Sequence, residues 1–107
     1  MIRMEDLQTI AMQIIASVGA ARSMYIEAID LASEGKFDEA RANLKEGQEI
    51  FNQGHSVHGQ LLTEYANGNL PNMDILMTHA EDQLMSAEAF GILAARFIEL
   101  YEKILKN

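Results

Sequence analysis

Apolar residues recur at alternating steps of three and four along three stretches of this chain, the pattern of helices that each bury one stripe. From about Asp6 to Ser33 the stripe is Leu7, Ala11, Ile14, Val18, Ala21, Tyr25, Ala28 and Ala32. Glu34-Gly35-Lys36 follows, and Gly35 predicts a helix stop with a tight turn. From about Phe37 to Tyr65 the stripe is Phe37, Ala40, Leu44, Gly47, Phe51, Gly54, His58, Leu61 and Tyr65. Asn67-Gly68-Asn69 and Pro71 punctuate the chain before a third stretch, from about Asn72 to Lys106. Helices of roughly 28–35 residues run about 40–50 Å at 1.5 Å per residue. Short connections make neighbours antiparallel. The pattern therefore predicts an all-α, up-down-up three-helix bundle, with residues 1–107 forming one domain.

The third helix carries more apolar surface than that bundle needs. Met73, Met77, Ala80, Leu84, Ala87, Gly91, Ala94, Ile98, Tyr101 and Leu105 form one complete stripe. Ile75, His79, Asp82, Ser86, Ala89, Leu93, Arg96 and Leu100 form a second, displaced one, and Phe90 and Phe97 widen the surface further. A helix that is apolar on more than one side is buried on more than one side. Self-association, with this helix from several protomers in a common core, is the simplest resolution. Gly47, Gly54 and Gly91 either permit close helix contact or are tolerated interior glycines at about 1 kcal/mol each relative to alanine.

Composition narrows the chemistry. The chain has no cysteine, which excludes disulfides, zinc–thiolate sites and thiol nucleophiles. Sixteen acidic residues against eight basic ones give a net charge of −8, which argues against nucleic acid as a partner. The charged opening, Met1-Ile2-Arg3-Met4-Glu5-Asp6, does not look like a signal peptide. Leu84 to Ile98 is interrupted by Glu88 and Arg96, too short and too charged to insert in a membrane. A soluble cytoplasmic protein is expected. Gly35-Lys36-Phe37-Asp38-Glu39-Ala40 has the wording of a tetratricopeptide repeat, but no second copy follows, so it reads as a helical-hairpin turn.

Three histidines are the candidate reactive groups: His55, His58 and His79. His55 and His58 share one edge of the second helix and are a candidate metal pair. A di-iron bundle would need Glu-x-x-His, and Asn52, His55 and Leu76 stand where those glutamates belong. His79 differs because Asp82 lies one turn on and shares its face within an apolar run. A neutral imidazole is a good base and a good nucleophile toward phosphorus. No Gly-rich phosphate loop accompanies it. Covalent carriage of a phosphoryl group between two proteins is the chemistry that needs the least additional machinery.

The stretch His79-Ala80-x-Asp82-x-Leu84-Met85 resembles the enzyme IIA component of the lactose/cellobiose (chitobiose) class of the bacterial phosphoenolpyruvate-dependent sugar phosphotransferase system. So do Gly19-Ala20-Ala21-Arg22-Ser23, Gly35-Lys36-Phe37, His55 and Phe97-Ile98-Glu99-Leu100-Tyr101, and the resemblance runs from about Ile14 to Leu105. It implies a homotrimer of three-helix protomers. It implies that His79 accepts a phosphoryl group on Nε2 from HPr and passes it to a cysteine of a cognate enzyme IIB, on the way to a disaccharide entering through enzyme IIC. It further implies that Asp82 from each protomer meets its copies at the threefold axis around one shared divalent metal, Mg2+. This chain departs from the family's usual residues at Glu81, where Gln is common, at Gln83, where His is common, and at His58, where Gln is common. Two other readings of the residues remain: a non-catalytic helical interaction protein and a metal-binding helical bundle using His55 and His58.

Overall fold

A computed structural model, which describes residues 1–106, consists of α1 (Met4–Ser33), α2 (Phe37–Ala66) and α3 (Ile75–Leu105), with no strand among the described residues. The bundle measures 57 × 19 × 19 Å. The expected up-down-up arrangement is present. Two ends differ from the expectation. The first helix starts at Met4 rather than about Asp6, and the third at Ile75 rather than about Asn72. The later start of α3 has a local cause. The Asp74 side chain accepts a hydrogen bond from the Met77 backbone N–H at 2.9 Å, capping an otherwise unpaired donor of the first turn. Gln8 donates to the same carboxylate at 2.9 Å, which ties the start of α3 to α1. These bonds, that from Gln8 first, hold the Asp74 carboxyl below the usual carboxylate range.

Both turns end in the same way. Gly35 has φ +80° and Gly68 has φ +75°, a region that favours glycine. Lys36 N–H bonds to Leu31 C=O at 3.0 Å and Gly35 N–H to Ala32 C=O at 3.0 Å. Asn69 N–H to Glu64 C=O, 2.9 Å, and Gly68 N–H to Tyr65 C=O, 3.0 Å, repeat the motif after α2. Each pair satisfies two carbonyls that a helix end leaves open.

The core is the set of stripes legible in the sequence. All eight stripe positions of α1 are buried, and so are Met77, Ala80, Leu84, Ala87, Gly91, Ala94 and Ile98 of α3. On α2, Phe37, Ala40, Gly47, Phe51, Gly54 and Leu61 are buried, whereas Leu44 and His58 are only half-buried and Tyr65 is exposed. Tyr65 sits in the last turn of α2 and is 68% exposed. Met73, which precedes α3, and Leu105, its last residue, were expected at the ends of the α3 stripe and are also exposed. Outside the core, Arg41 on α2 donates to Glu102 on α3, as does Lys106, and these bonds hold the Glu102 carboxyl below the usual range.

Tyr25 of α1 explains two of the glycines. A Cβ at Gly47 would lie 2.9 Å from one edge of its ring, and a Cβ at Gly91 would lie 2.9 Å from the other. The ring is wedged between α2 and α3, and burial raises the pKa of its hydroxyl. It cannot retreat from one helix without striking the other. Gly91→Ala gains about 1 kcal/mol of helix propensity but adds an overpacking cost of about 1–3 kcal/mol. Thermal unfolding of Gly91→Ala, followed by circular dichroism, is therefore expected to show a lower midpoint than the parent protein.

The second apolar stripe of α3 is left uncovered by its own chain. Ile75 is 88% exposed, and Leu93 and Leu100 are each 50% exposed. Among the described residues no helix is long and apolar enough to cross a membrane.

Candidate functional site

The motif residues around His79 are spread around α3 by the 100° turn per residue of a helix. Met77, Ala80 and Leu84 point into the core, while His79, Asp82 and Met85 are exposed. The apolar surroundings expected for His79 are thus not built by its own chain, because Met77 and Leu84 are spent on the bundle interior. Among the described residues, His79 makes no hydrogen bond to another side chain. Its ring is open at the edge of the bundle.

The two flanks of α3 differ. Ser86, seven residues after His79, lies within about 20° of it around the helix. Arg22 of α1 donates from Nη1 to Ser86 Oγ at 3.3 Å, so this flank faces α1. Among the described residues Arg22 has no carboxylate partner, the pairs being Arg3–Asp6, Lys36–Glu34, Arg41–Glu102, His58–Glu81 and Lys106–Glu102. Glu81 points about 160° away from His79. His58 of α2 donates from Nε2 to Glu81 Oε1 at 3.3 Å, so this flank faces α2. The ring nitrogen is the donor because an ionised carboxylate only accepts. The His58 side chain is 16% exposed and that of Glu81 40%. The pair lines a groove of about 240 Å³ together with Leu61, Leu62, Tyr65, Leu70, Met73 and Met77.

The candidate metal pair on α2 comes apart. His55 stacks on Phe51, with ring centroids 5.7 Å apart and planes at 27°. His58 turns instead to Glu81. Among the described residues no three His, Asp or Glu side chains come together as a metal site within one chain.

Asp82 lies on the uncovered stripe, about 60° around α3 from His79 and about 100° from Glu81. It is exposed and, among the described residues, has no cationic partner. Spacing along the sequence could not show the His58–Glu81 and Arg22–Ser86 contacts, since each joins different helices. The one advance signal was that His58 and Glu81 are both departures from the family pattern.

Residues 9–102 match the family model for the PTS system lactose/cellobiose-specific IIA subunit. The chain is 40% identical to the lichenan-specific phosphotransferase enzyme IIA component of Bacillus subtilis, over 96% of this chain and 94% of that protein. It is 37% identical to the PTS system galactose-specific EIIA component of Lactococcus lactis subsp. cremoris, over 88% and 81% of the two chains. Its fold superimposes on the PTS cellobiose-specific enzyme IIA from Bacillus anthracis with a TM-score of 0.91, at 34% identity, covering 100% of this chain and 96% of that one. The IIA(chitobiose) complex with HPr from the Escherichia coli phosphotransferase system gives a TM-score of 0.80 at 28% identity, covering 92% and 95%.

Proposed function

The chain belongs to the lactose/cellobiose-specific IIA subunits of the phosphotransferase system, and on that footing we propose that it carries a phosphoryl group on His79 from HPr to a cognate enzyme IIB. The observation that carries this reading is an exposed, uncommitted imidazole at the head of the His79-Ala80-x-Asp82 motif. Support for HPr as donor is the likeness to a IIA protein seen in complex with HPr. In the first step the Nε2 lone pair attacks phosphorus. A P–N bond forms as the bond to the donor breaks, and the donor's leaving atom keeps that electron pair. In the second step a cysteine thiolate of enzyme IIB attacks the same phosphorus, and the P–N electron pair returns to His79. The imidazole is nucleophile and then leaving group, so the protein needs no separate general base.

The assembly we propose is a homotrimer with the second stripe of α3 at the threefold axis. Ile75, Leu93 and Leu100 supply the exposed apolar surface for it. A monomer would leave that patch in water. Asp82 falls on the same stripe, so three copies converge. One carboxylate per chain is no metal site, but three form a hard-oxygen set suited to a divalent cation such as Mg2+. The ion's contribution would be to neutralise the three charges.

The experiment is intact-mass measurement after incubation with phosphoenolpyruvate, enzyme I and HPr. The expected result is one added phosphoryl group per chain, present only with the complete donor system. An unmodified mass with an active donor system would favour a non-catalytic interaction protein. Sedimentation equilibrium at micromolar concentration is expected to give three chain masses, and a stable monomer would refute the packing argument.

A further inference from the structure

We infer that His58 is a positioning residue of the phosphoryl site: it holds the Glu81 carboxylate away from the phosphoryl group on His79 of the neighbouring protomer. The inference rests on the trimeric phosphocarrier reading above. Within one chain the two residues cannot meet, since His79 lies on the α1-facing flank of α3 and Glu81 on the α2-facing flank. Between chains they must. With the Ile75–Asp82–Leu93–Leu100 stripe turned to a threefold axis, the α1-facing flank of each α3 borders the α2-facing flank of the next. His79 and Glu81 are only two residues apart, about 3 Å along the helix axis, so they stand at the same level. Every His79 therefore faces a neighbour's Glu81.

A free carboxylate there would repel a dianionic phosphoryl group. Coulomb repulsion at such a distance is felt because the boundary between protomers is drier than bulk water. The bond from His58 Nε2 to Glu81 Oε1, at 3.3 Å, draws the carboxylate toward α2 and sets a hydrogen-bond donor against its charge. His58 is well placed to do so. It is the more buried of the pair, and it lines the groove between α2 and α3. The two side chains then act as a unit, and His58 matters only while residue 81 is a carboxylate.

That dependence gives the test. Initial rates of phosphoryl uptake are measured from phosphoenolpyruvate, enzyme I and a catalytic amount of HPr, for the parent protein, His58→Gln, Glu81→Gln and the double variant. Each is first checked for assembly by sedimentation. His58→Gln is expected to slow uptake roughly tenfold, below the full effect of losing a catalytic donor because the misplaced charge is partly screened. Glu81→Gln is expected to match or exceed the parent. The double variant is expected to recover the rate of Glu81→Gln. A role confined to packing would leave the double variant as slow as His58→Gln, and that result overturns the inference. So does parental speed in His58→Gln, or a tenfold loss in Glu81→Gln, which also decides the matter should His58→Gln fail to assemble. Absence of uptake by the parent overturns the phosphocarrier reading itself and this inference with it, whereas normal parental uptake isolates the inference.

Discussion

Replacing His79 with Gln is expected to abolish phosphoryl uptake altogether. The reason is chemical rather than structural. The imidazole offers a localised lone pair on Nε2, while the glutamine amide nitrogen has its pair delocalised into the carbonyl and does not attack phosphorus. Nothing in the fold depends on the ring, since His79 is exposed and, among the described residues, bonds to no other side chain. Glutamine is a good helix former, so α3 should persist. Circular dichroism and sedimentation should therefore match the parent while the added mass disappears. The phosphorylated parent should lose its label in acid and keep it in base, as phosphohistidine does and phosphoserine does not. His55→Gln should retain uptake, because that ring is stacked on Phe51 and takes no part in the site. Uptake surviving in His79→Gln would move the nucleophile elsewhere.

The helices were legible because heptad spacing and burial report the same thing in an antiparallel bundle. Every stripe position read on α1, from Leu7 to Ala32, is buried. The overload on α3 was legible too: the stripe its own chain leaves open is the one that sequence spacing marked as surplus. Helix ends were less so, because they depend on caps. Asp74 begins α3 through its bond to Met77, and no periodicity announces that bond. Tyr65 and Met73 follow the spacing rule yet stay exposed at the ends of their stripes.

Spacing singled out His79 as the candidate reactive group, and the structure leaves it exposed, but its surroundings were not legible. His79 sits in an apolar run, yet a helix sends its sequence neighbours to different faces. Met77 and Leu84 go to the core, and Glu81 goes to His58 on α2. The groups that face a residue across helices are set by tertiary packing, and those that face it across protomers by symmetry. Neither leaves a local trace in the chain. Gly47 and Gly91 illustrate the intermediate case: close contact was one of two readings of these glycines, and Tyr25 as the ring that requires it was in neither.

Asp82→Leu is expected to leave the trimer intact and raise its melting temperature in metal-free buffer. The aspartate is exposed in a single chain, which hides its cost. On the threefold axis we propose, three copies would share one site. Three close carboxylates do not all stay ionised without compensation, so either a divalent cation neutralises them or some are protonated. Both carry a desolvation penalty that an apolar side chain avoids. Replacing buried charge by well-packed apolar residues is commonly neutral to stabilising, by about 1–4 kcal/mol. Leucine also continues the row formed by Ile75, Leu93 and Leu100, so the apolar seam becomes unbroken. In the parent, adding magnesium should raise the melting temperature and chelation should lower it. In Asp82→Leu both responses should vanish, while phosphoryl uptake at His79, on the adjoining face of α3, should persist. A trimer that dissociates on this substitution would mean the carboxylates make essential contacts. Unchanged stability together with an unchanged magnesium response would place Asp82 away from the axis.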